Sequence, residues 1–380
     1  MAAFGYGEDQ LALVETLSKF INDRIKPNVM AWDEKEYFPL ECFREMGELG
    51  LLGVLVPETY GGAGYQYFDY VAILEVISAT CGGVGLGVAA HNSLCTGHIL
   101  QHGNEAQKKK YLPKLAAGEW LGAWGLTEPG SGSDSGGMIS TAKKVDGGWL
   151  LNGTKNFITH AISAEVAVVL INTAPELKTR GISAFILDKT MKGWYGGKKE
   201  SKVGMRCSET AQLVMEDCFV PEENLIGEVN KGFKQAMKVL DGGRISIAAL
   251  SLGIAKGALD AAKTYASERK QFGKTLDHFQ AIQFKLADMA TDLDAARLLT
   301  LRSAFLKDHG KPTTLESSMA KYYASEVAVR NSEEAVQILG GYGYLRDYPV
   351  EKFWRDSKLC TIGEGTSEIQ KIVIARELRK

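Results

Sequence analysis

Apolar residues recur every three and four positions in "LALVETLSKFINDRI". Val14, Leu17, Phe20, Ile21 and Ile25 share one helix face, and Pro27 ends the run. Further helices are predicted over roughly 40–50, 66–80, 85–101 and 105–116. The texture changes near Leu121. "GGWLLNGTKNFITHA", "AEVAVVLINTA", "GISAFILD" and "AQLVMEDCFV" are short β-rich runs divided by Gly, Asn, Asp and Pro turns. No helices intervene, which argues against a parallel βαβ sheet. From Gly232 the helical period returns in three long, alanine-rich stretches, each closing on glycine-containing punctuation. Their several apolar positions per turn predict a bundle with little free surface. The pattern thus predicts an α+β multidomain chain: an N-terminal helical domain over 1–119, a central antiparallel β-barrel or sandwich over 120–228, and a C-terminal helical bundle over 229–380.

Composition narrows the function. With 380 residues, 45% of them hydrophobic, the chain can bury a large core. A net charge of −2 offers no basic field, so nucleic acid is not an expected partner, though a polyanion held by local Lys or Arg remains open. Cys42, Cys81, Cys95, Cys207, Cys218 and Cys360 form no CxxC pair. They read as reduced thiols with no metal site. "MAAFGYGEDQLALVE" lacks the basic-then-apolar order of a leader, and no apolar run approaches the ~20 residues of a membrane span. A cytoplasmic protein without a membrane span is expected.

Several glycine-rich stretches are candidates for chemistry. "LTEPGSGSDSGG" (126–137) combines four glycines with small hydroxyl residues, so it is either a ligand loop or a flexible surface turn. Gly130, Gly132 and Gly136 have the wrong spacing for a dinucleotide fingerprint, and no Walker lysine is present. In "LDGGRIS" (240–246) a glycine pair costs about 1–2 kcal/mol in a helix. It would be retained for a ligand or for close helix packing. "SERKQFGK" and "QILGGYGY" close two other helices. The six histidines show no ligand spacing and read as structural or exposed.

Together, "LTEPGSGSD", "ERKQFGK", "QILGGYGY" and "EGTSEIQ" resemble the acyl-CoA dehydrogenase family in order and spacing, from about residue 8 to 378. "AAHNSLC", "LDGGRI" and "KLADM" resemble its short-chain, butyryl-CoA branch. The resemblance implies a four-helix C-terminal bundle, an FAD between the β domain and that bundle, and a homotetramer, a dimer of dimers. It implies flavin contacts from Trp124 to Ser133, with Leu126, Thr127 and Gly132 among them, and from Phe157, Ile158 and Thr159. Thr366, Ser367 and Glu368 would meet the cofactor from the other side. Arg269, Phe272, Gln280 and the run Gln337, Ile338, Leu339, Gly340, Gly341 would serve the FAD of a neighbouring subunit. Ser133, Asp241, Arg244 and Gly365 would face the acyl-CoA substrate.

The family's reaction takes a proton from the α carbon of an acyl thioester while the β hydrogen leaves as hydride to the flavin, giving the trans-2-enoyl thioester. By resemblance the base is Glu364, which stands between Gly363 and Gly365. Ser367 and Gln370 fit a capping box opening the last helix, so Glu364 is expected in the loop before it. The helix dipole would weaken this base; burial beside flavin and thioester would raise its pKa. One branch of the family carries its base inside the segment that here reads "LDGGRI", where Gly243 has no carboxylate.

Short-chain relatives usually carry Tyr where this chain has Gly363, which implies room for a branched or bulky acyl group alongside straight short-to-medium ones. The expected electron acceptor is an electron-transferring flavoprotein. The alternatives are an oxidase using O₂ and a non-catalytic flavin or acyl-CoA binder.

Overall fold

The computed structural model describes residues 5–380; the first four residues of the N-terminal stretch read above lie outside them. The chain opens with helices α1 (Glu8–Phe20), α2 (Val29–Glu34), α3 (Leu40–Glu48), α4 (Tyr67–Ser78), α5 (Gly82–Ala90), α6 (Gly97–His102) and α7 (Glu105–Ala116). The periodic pattern runs on past α1 through a π turn, Ile21–Ile25, and stops before Pro27 as expected. A second π turn, His91–Thr96, joins α5 to α6.

Strands β1 (Gly122–Gly125), β2 (Thr141–Val145), β3 (Gly148–Thr159), β4 (Val166–Asn172), β5 (Ile182–Asp188), β6 (Trp194–Lys199) and β7 (Thr210–Pro221) form one sheet, in the order β1-β4-β2-β3-β7-β6 with β5 paired to β4. Most pairs are antiparallel, but β1 runs parallel to β4, with Gly122 opposite Val166 and Gly125 opposite Val169. This departs from the wholly antiparallel sheet expected. The β2–β3 hairpin between them is long enough to bring the chain back in the same direction. The unbroken apolar run in β4 also has an explanation: Val166, Val168 and Leu170 pack toward the helices, and Ala167, Val169 and Ile171 into the core on the other face. A strand buried on both faces needs no alternation.

The C-terminal helices are α8 (Gly232–Glu268), α9 (Gln280–Asp308), α10 (Thr314–Leu339), α11 (Val350–Cys360) and α12 (Ser367–Glu377), with a small hairpin β8 (Lys270–Gln271) and β9 (Lys274–Thr275) between α8 and α9. One apolar core runs from Leu17 and Phe43 through Tyr70 and Leu74 to Ile254, Ala258, Ala324 and Phe353, so the two sets of helices bury each other. Among the described residues α8 is the one helix whose length and mean hydropathy would allow it to cross a membrane; Arg244 and Lys256 interrupt it, and 83% of its apolar window is buried inside the fold. The capping box predicted on Ser367 and Gln370 does not form. Thr366 is the N-cap, accepting the Ile369 N–H at 3.3 Å, while Ser367 donates to Glu326 at 2.6 Å. Either of two adjacent hydroxyl residues can serve as N-cap, and the tertiary contact of Ser367 with Glu326 leaves that role to Thr366.

Candidate active site

α11 ends at Cys360, and the chain turns through Thr361–Gly365 before α12 begins. Glu364 adopts left-handed backbone, φ 53°, and Gly365 follows at φ 94°. A left-handed glutamate costs on the order of 1 kcal/mol or more and persists where its surroundings hold it. Gln370 holds it here: its amide donates to the carbonyls of Glu364 at 3.2 Å and Gly365 at 3.0 Å. The Lys321 ammonium also donates to the Gly365 carbonyl, at 2.7 Å. The side chain is aimed inward. Glu364 as a residue is half-buried, but its Oε2 is sealed from solvent and has no hydrogen-bond partner.

The carboxylate lies against α8. A Cβ at Gly243 would stand 2.0 Å from Glu364 Oε2, and one at Gly242 2.4 Å from Tyr67 Oη. A side chain at either glycine would therefore have to displace its neighbour. Arg244 is buried and donates to Asp241 at 2.6 Å, and Thr314 donates to the other Asp241 oxygen at 2.8 Å. Burial raises the Glu364 carboxyl to about 7, against the opposing pull of the Lys321 and Arg244 charges. The same burial lowers Lys321 to about 8.

The 126–137 stretch is an ordered loop. Glu128 and Ser131 exchange backbone hydrogen bonds at 2.9 and 3.1 Å, and Ser131 Oγ donates to the Asp134 carbonyl at 2.5 Å. Beneath it Glu128 is buried, accepting the Lys155 ammonium at 2.6 Å and the amides of Ile139 and Ser140 at 2.6 and 3.1 Å. Lys155 Nζ also reaches the Leu126 carbonyl at 3.4 Å. The Asn156 N–H donates to Thr127 O at 2.8 Å, and the bulge between Lys155 and Ile158 turns Phe157 outward at φ 59°. Trp124, Leu126, Thr127, Phe157, Ile158 and Thr159 thus gather along β1 and the far end of β3, with Gly132 and exposed Ser133 on the loop. His98 accepts the Trp124 indole N–H at 3.1 Å through Nδ1, and its Nε2 faces Gln235 at 3.2 Å. Burial lowers its pKa to about 3, so the ring is neutral.

Arg269, Phe272 and Gln280 lie elsewhere, at the end of α8 and the start of α9. Arg269 sits 5.3 Å above the Tyr342 ring, next to the 337–341 segment. Among the described residues no side-chain hydrogen bond or ring contact joins this cluster to the β1–β3 cluster. Sequence reading missed Lys155, His98 and Lys321, which sit in no motif and act through partners distant in the chain. Glu128 and Gln370 stand inside motifs, but their roles as an ion-pair partner and as the amide that fixes the turn were not read.

A flavin fits the β1–β3 cluster and the loop before α12. Gly130 and Gly132 have open space where a Cβ would stand, and Phe157 is 63% exposed. Backbone donors and an uncovered aromatic suit a planar ring with phosphates.

Two helical domains enclosing a central curled sheet define the three-domain fold of FAD-dependent oxidoreductases acting on CH–CH bonds. The chain belongs to the acyl-CoA dehydrogenase family: it matches that family's N-terminal domain over residues 7–119, its middle domain over 123–218 and its C-terminal domain over 230–379. It is 45% identical to the short-chain specific acyl-CoA dehydrogenase of Clostridium acetobutylicum, covering 99% of each chain. It superposes on the butyryl-CoA dehydrogenase of Megasphaera elsdenii with a TM-score of 0.97 at 42% identity, covering 99% of this chain and 100% of that one. A chain from a structural study of the electron transferring flavoprotein of Acidaminococcus fermentans matches with a TM-score of 0.97 at 44% identity, covering 99% of both.

Proposed function

We propose that this chain oxidises a short acyl-CoA, with Glu364 taking the α proton. The observation that carries the assignment is the sealed, unpartnered Oε2 of Glu364, raised to about 7 by burial. A base with its pKa near the working pH combines ionisation with driving force for proton transfer. FAD, when bound, supplies the hydride acceptor. The protein's part is to present the ionised carboxylate, to exclude water from it, and to orient the thioester. Asp241 and Arg244, which flank the Gly242–Gly243 pair on α8, are assigned to that role together with Ser133 and Gly365. Trp124–Ser133, Phe157–Thr159 and Thr366–Glu368 contact the flavin of the same subunit. Arg269, Phe272, Gln280 and Gln337–Gly341 reach that of a neighbour in a homotetramer, and electrons leave to an electron-transferring flavoprotein. Domain boundaries at 119/120 and 228/229 fit this division of labour.

The test is anaerobic mixing of the holoenzyme with butyryl-, isobutyryl-, isovaleryl- and octanoyl-CoA while following flavin absorbance. Glu364→Gln should still bind the thioester yet lose flavin bleaching by about 10²–10⁴-fold. Full turnover in that variant would remove Glu364 from the chemistry.

Gly363 extends the substrate reading to branched acyl groups. A Cβ there meets nothing nearer than the Leu359 carbonyl at 3.5 Å, an ordinary contact, and its φ is not in the left-handed region. A side chain could stand at this position without backbone strain, so glycine leaves space. Gly363→Tyr should lower the bleaching rate with isobutyryl-CoA relative to butyryl-CoA; an unchanged ratio would refute the assignment of that space to a branch.

A further inference from the structure

Cys81 and Cys207 lie far apart in the chain, yet their Sγ atoms stand 3.3 Å apart in the interior. Cys81 immediately precedes α5 in the N-terminal helices, and Cys207 lies in the loop leading to β7. The C-terminal bundle supplies the third wall. Lys352 on α11 places Nζ 3.8 Å from Cys81 Sγ and forms a buried pair with Asp356, one turn on. Asp356 also accepts the Met205 N–H at 2.5 Å, beside Cys207. All four side chains are buried, and none belongs to the site proposed above.

Burial alone makes thiols inert, whereas a neighbouring ammonium and a helix N-terminus favour the reactive thiolate. Cys81 has both. The hydrogen bond from Cys207 is the largest influence holding its pKa below the ordinary thiol value; burial opposes this and Lys352 adds to it. The same hydrogen bond drives Cys207 upward, which suits a resolving thiol that keeps its proton. The other four cysteines contrast with Cys81: burial pushes Cys42 and Cys95 up to about 12, and Cys218 and Cys360 up to about 11.

We propose that Cys81 and Cys207 are a reversible redox pair, oxidised by hydrogen peroxide to a disulfide that ties the N-terminal helices to the β domain across Lys352. The Cys81 thiolate attacks one peroxide oxygen and the O–O bond breaks, giving a sulfenic acid and, with one proton, water. Cys207 then attacks that sulfur, the S–O bond breaks, and the second water leaves with the Cys207 proton. The two sulfurs have lost two electrons and the peroxide has gained them. Peroxide is small and uncharged, which the closed surroundings of the pair require of an oxidant.

The experiment uses the full-length protein, reduced, freed of reductant and titrated with hydrogen peroxide. Intact mass, denatured thiol count and a non-reducing peptide map are read at each step. The expected first event is loss of two of the six thiols, a mass lower by two hydrogens, and a Cys81–Cys207 linked peptide, all reversed by dithiothreitol. In Cys207→Ser, Cys81 should instead stop at a sulfenic acid that dimedone traps. Oxidation of any other cysteine first, or accumulation of Cys81 sulfinic acid while Cys207 stays free, would overturn the proposal. If Cys207→Ser does not fold, the wild-type map decides alone. Neither outcome depends on the role of Glu364.

Discussion

The Glu364 Oε2 is buried without a partner, and that has a thermodynamic side. Its folded carboxyl keeps its proton up to about 7, whereas the unfolded one releases it near 4.5. The folded state then binds more protons between these values, so stability falls as pH rises through that window and stays lower above it. The full effect is roughly 3 kcal/mol at 1.4 kcal/mol per pKa unit. Two measurements follow. The rate of flavin reduction by free enzyme and substrate should rise with pH through an apparent pKa near 7. The Tm of Glu364→Gln should exceed that of the parent at pH 8 and approach it at pH 4.5; equal Tm differences at both would show that the carboxylate is not desolvated. The glycine flanks of Glu364 are legible in the sequence, and its loop position follows from the helix start. Its left-handed backbone and the Gln370 amide that fixes it are not, because local spacing carries no record of which side chain folds back onto the turn.

At the level of elements, β1, β3 and the loop between them work as one unit because a buried ion pair clamps them. Lys155 on β3 is 0% exposed and Glu128 on the loop 3%, and the two are the strut beneath Leu126 and Thr127. Removing one partner of a buried pair leaves a charge without compensation, typically at 3–5 kcal/mol. Lys155→Met should lower stability by about that amount in urea unfolding and weaken FAD retention on gel filtration. The double variant Lys155→Met/Glu128→Leu should recover part of the stability but not the FAD, because the loop amides held by Glu128 lose their acceptor. Undiminished FAD in the single variant would show that the loop does not need its strut. Helix and strand periods made these elements readable. The parallel β1–β4 pairing was not, since nothing in a four-residue strand records the direction of its neighbour, and Lys155 reads in sequence as one more polar position on a strand.

Across the whole molecule the helical, sheet and helical order was visible in the texture of the chain, and the packing explains why: each block changes period where its burial changes. What the single chain leaves uncovered points outward. Phe272 is 94% exposed at φ 51° on the β8–β9 hairpin, near Arg269 and the glycines that end α10. An aromatic held in that backbone conformation has every reason to be covered. In the proposed tetramer a neighbour covers it. Phe272→Asp should shift sedimentation velocity toward smaller species and release FAD on dilution, while far-UV circular dichroism stays unchanged. A tetramer that retains FAD in this variant would place the interface elsewhere.

Gly243 and Glu364 also bear on how such a chain could change over generations. The Cβ of any side chain at 243 would fall on the oxygen that Glu364 occupies, so the cavity holds one carboxylate with two possible addresses, one on α8 and one on the loop before α12. Moving the address takes two substitutions: a glutamate at 243 would have to push the resident carboxylate aside, and a glycine at 364 alone would empty the site.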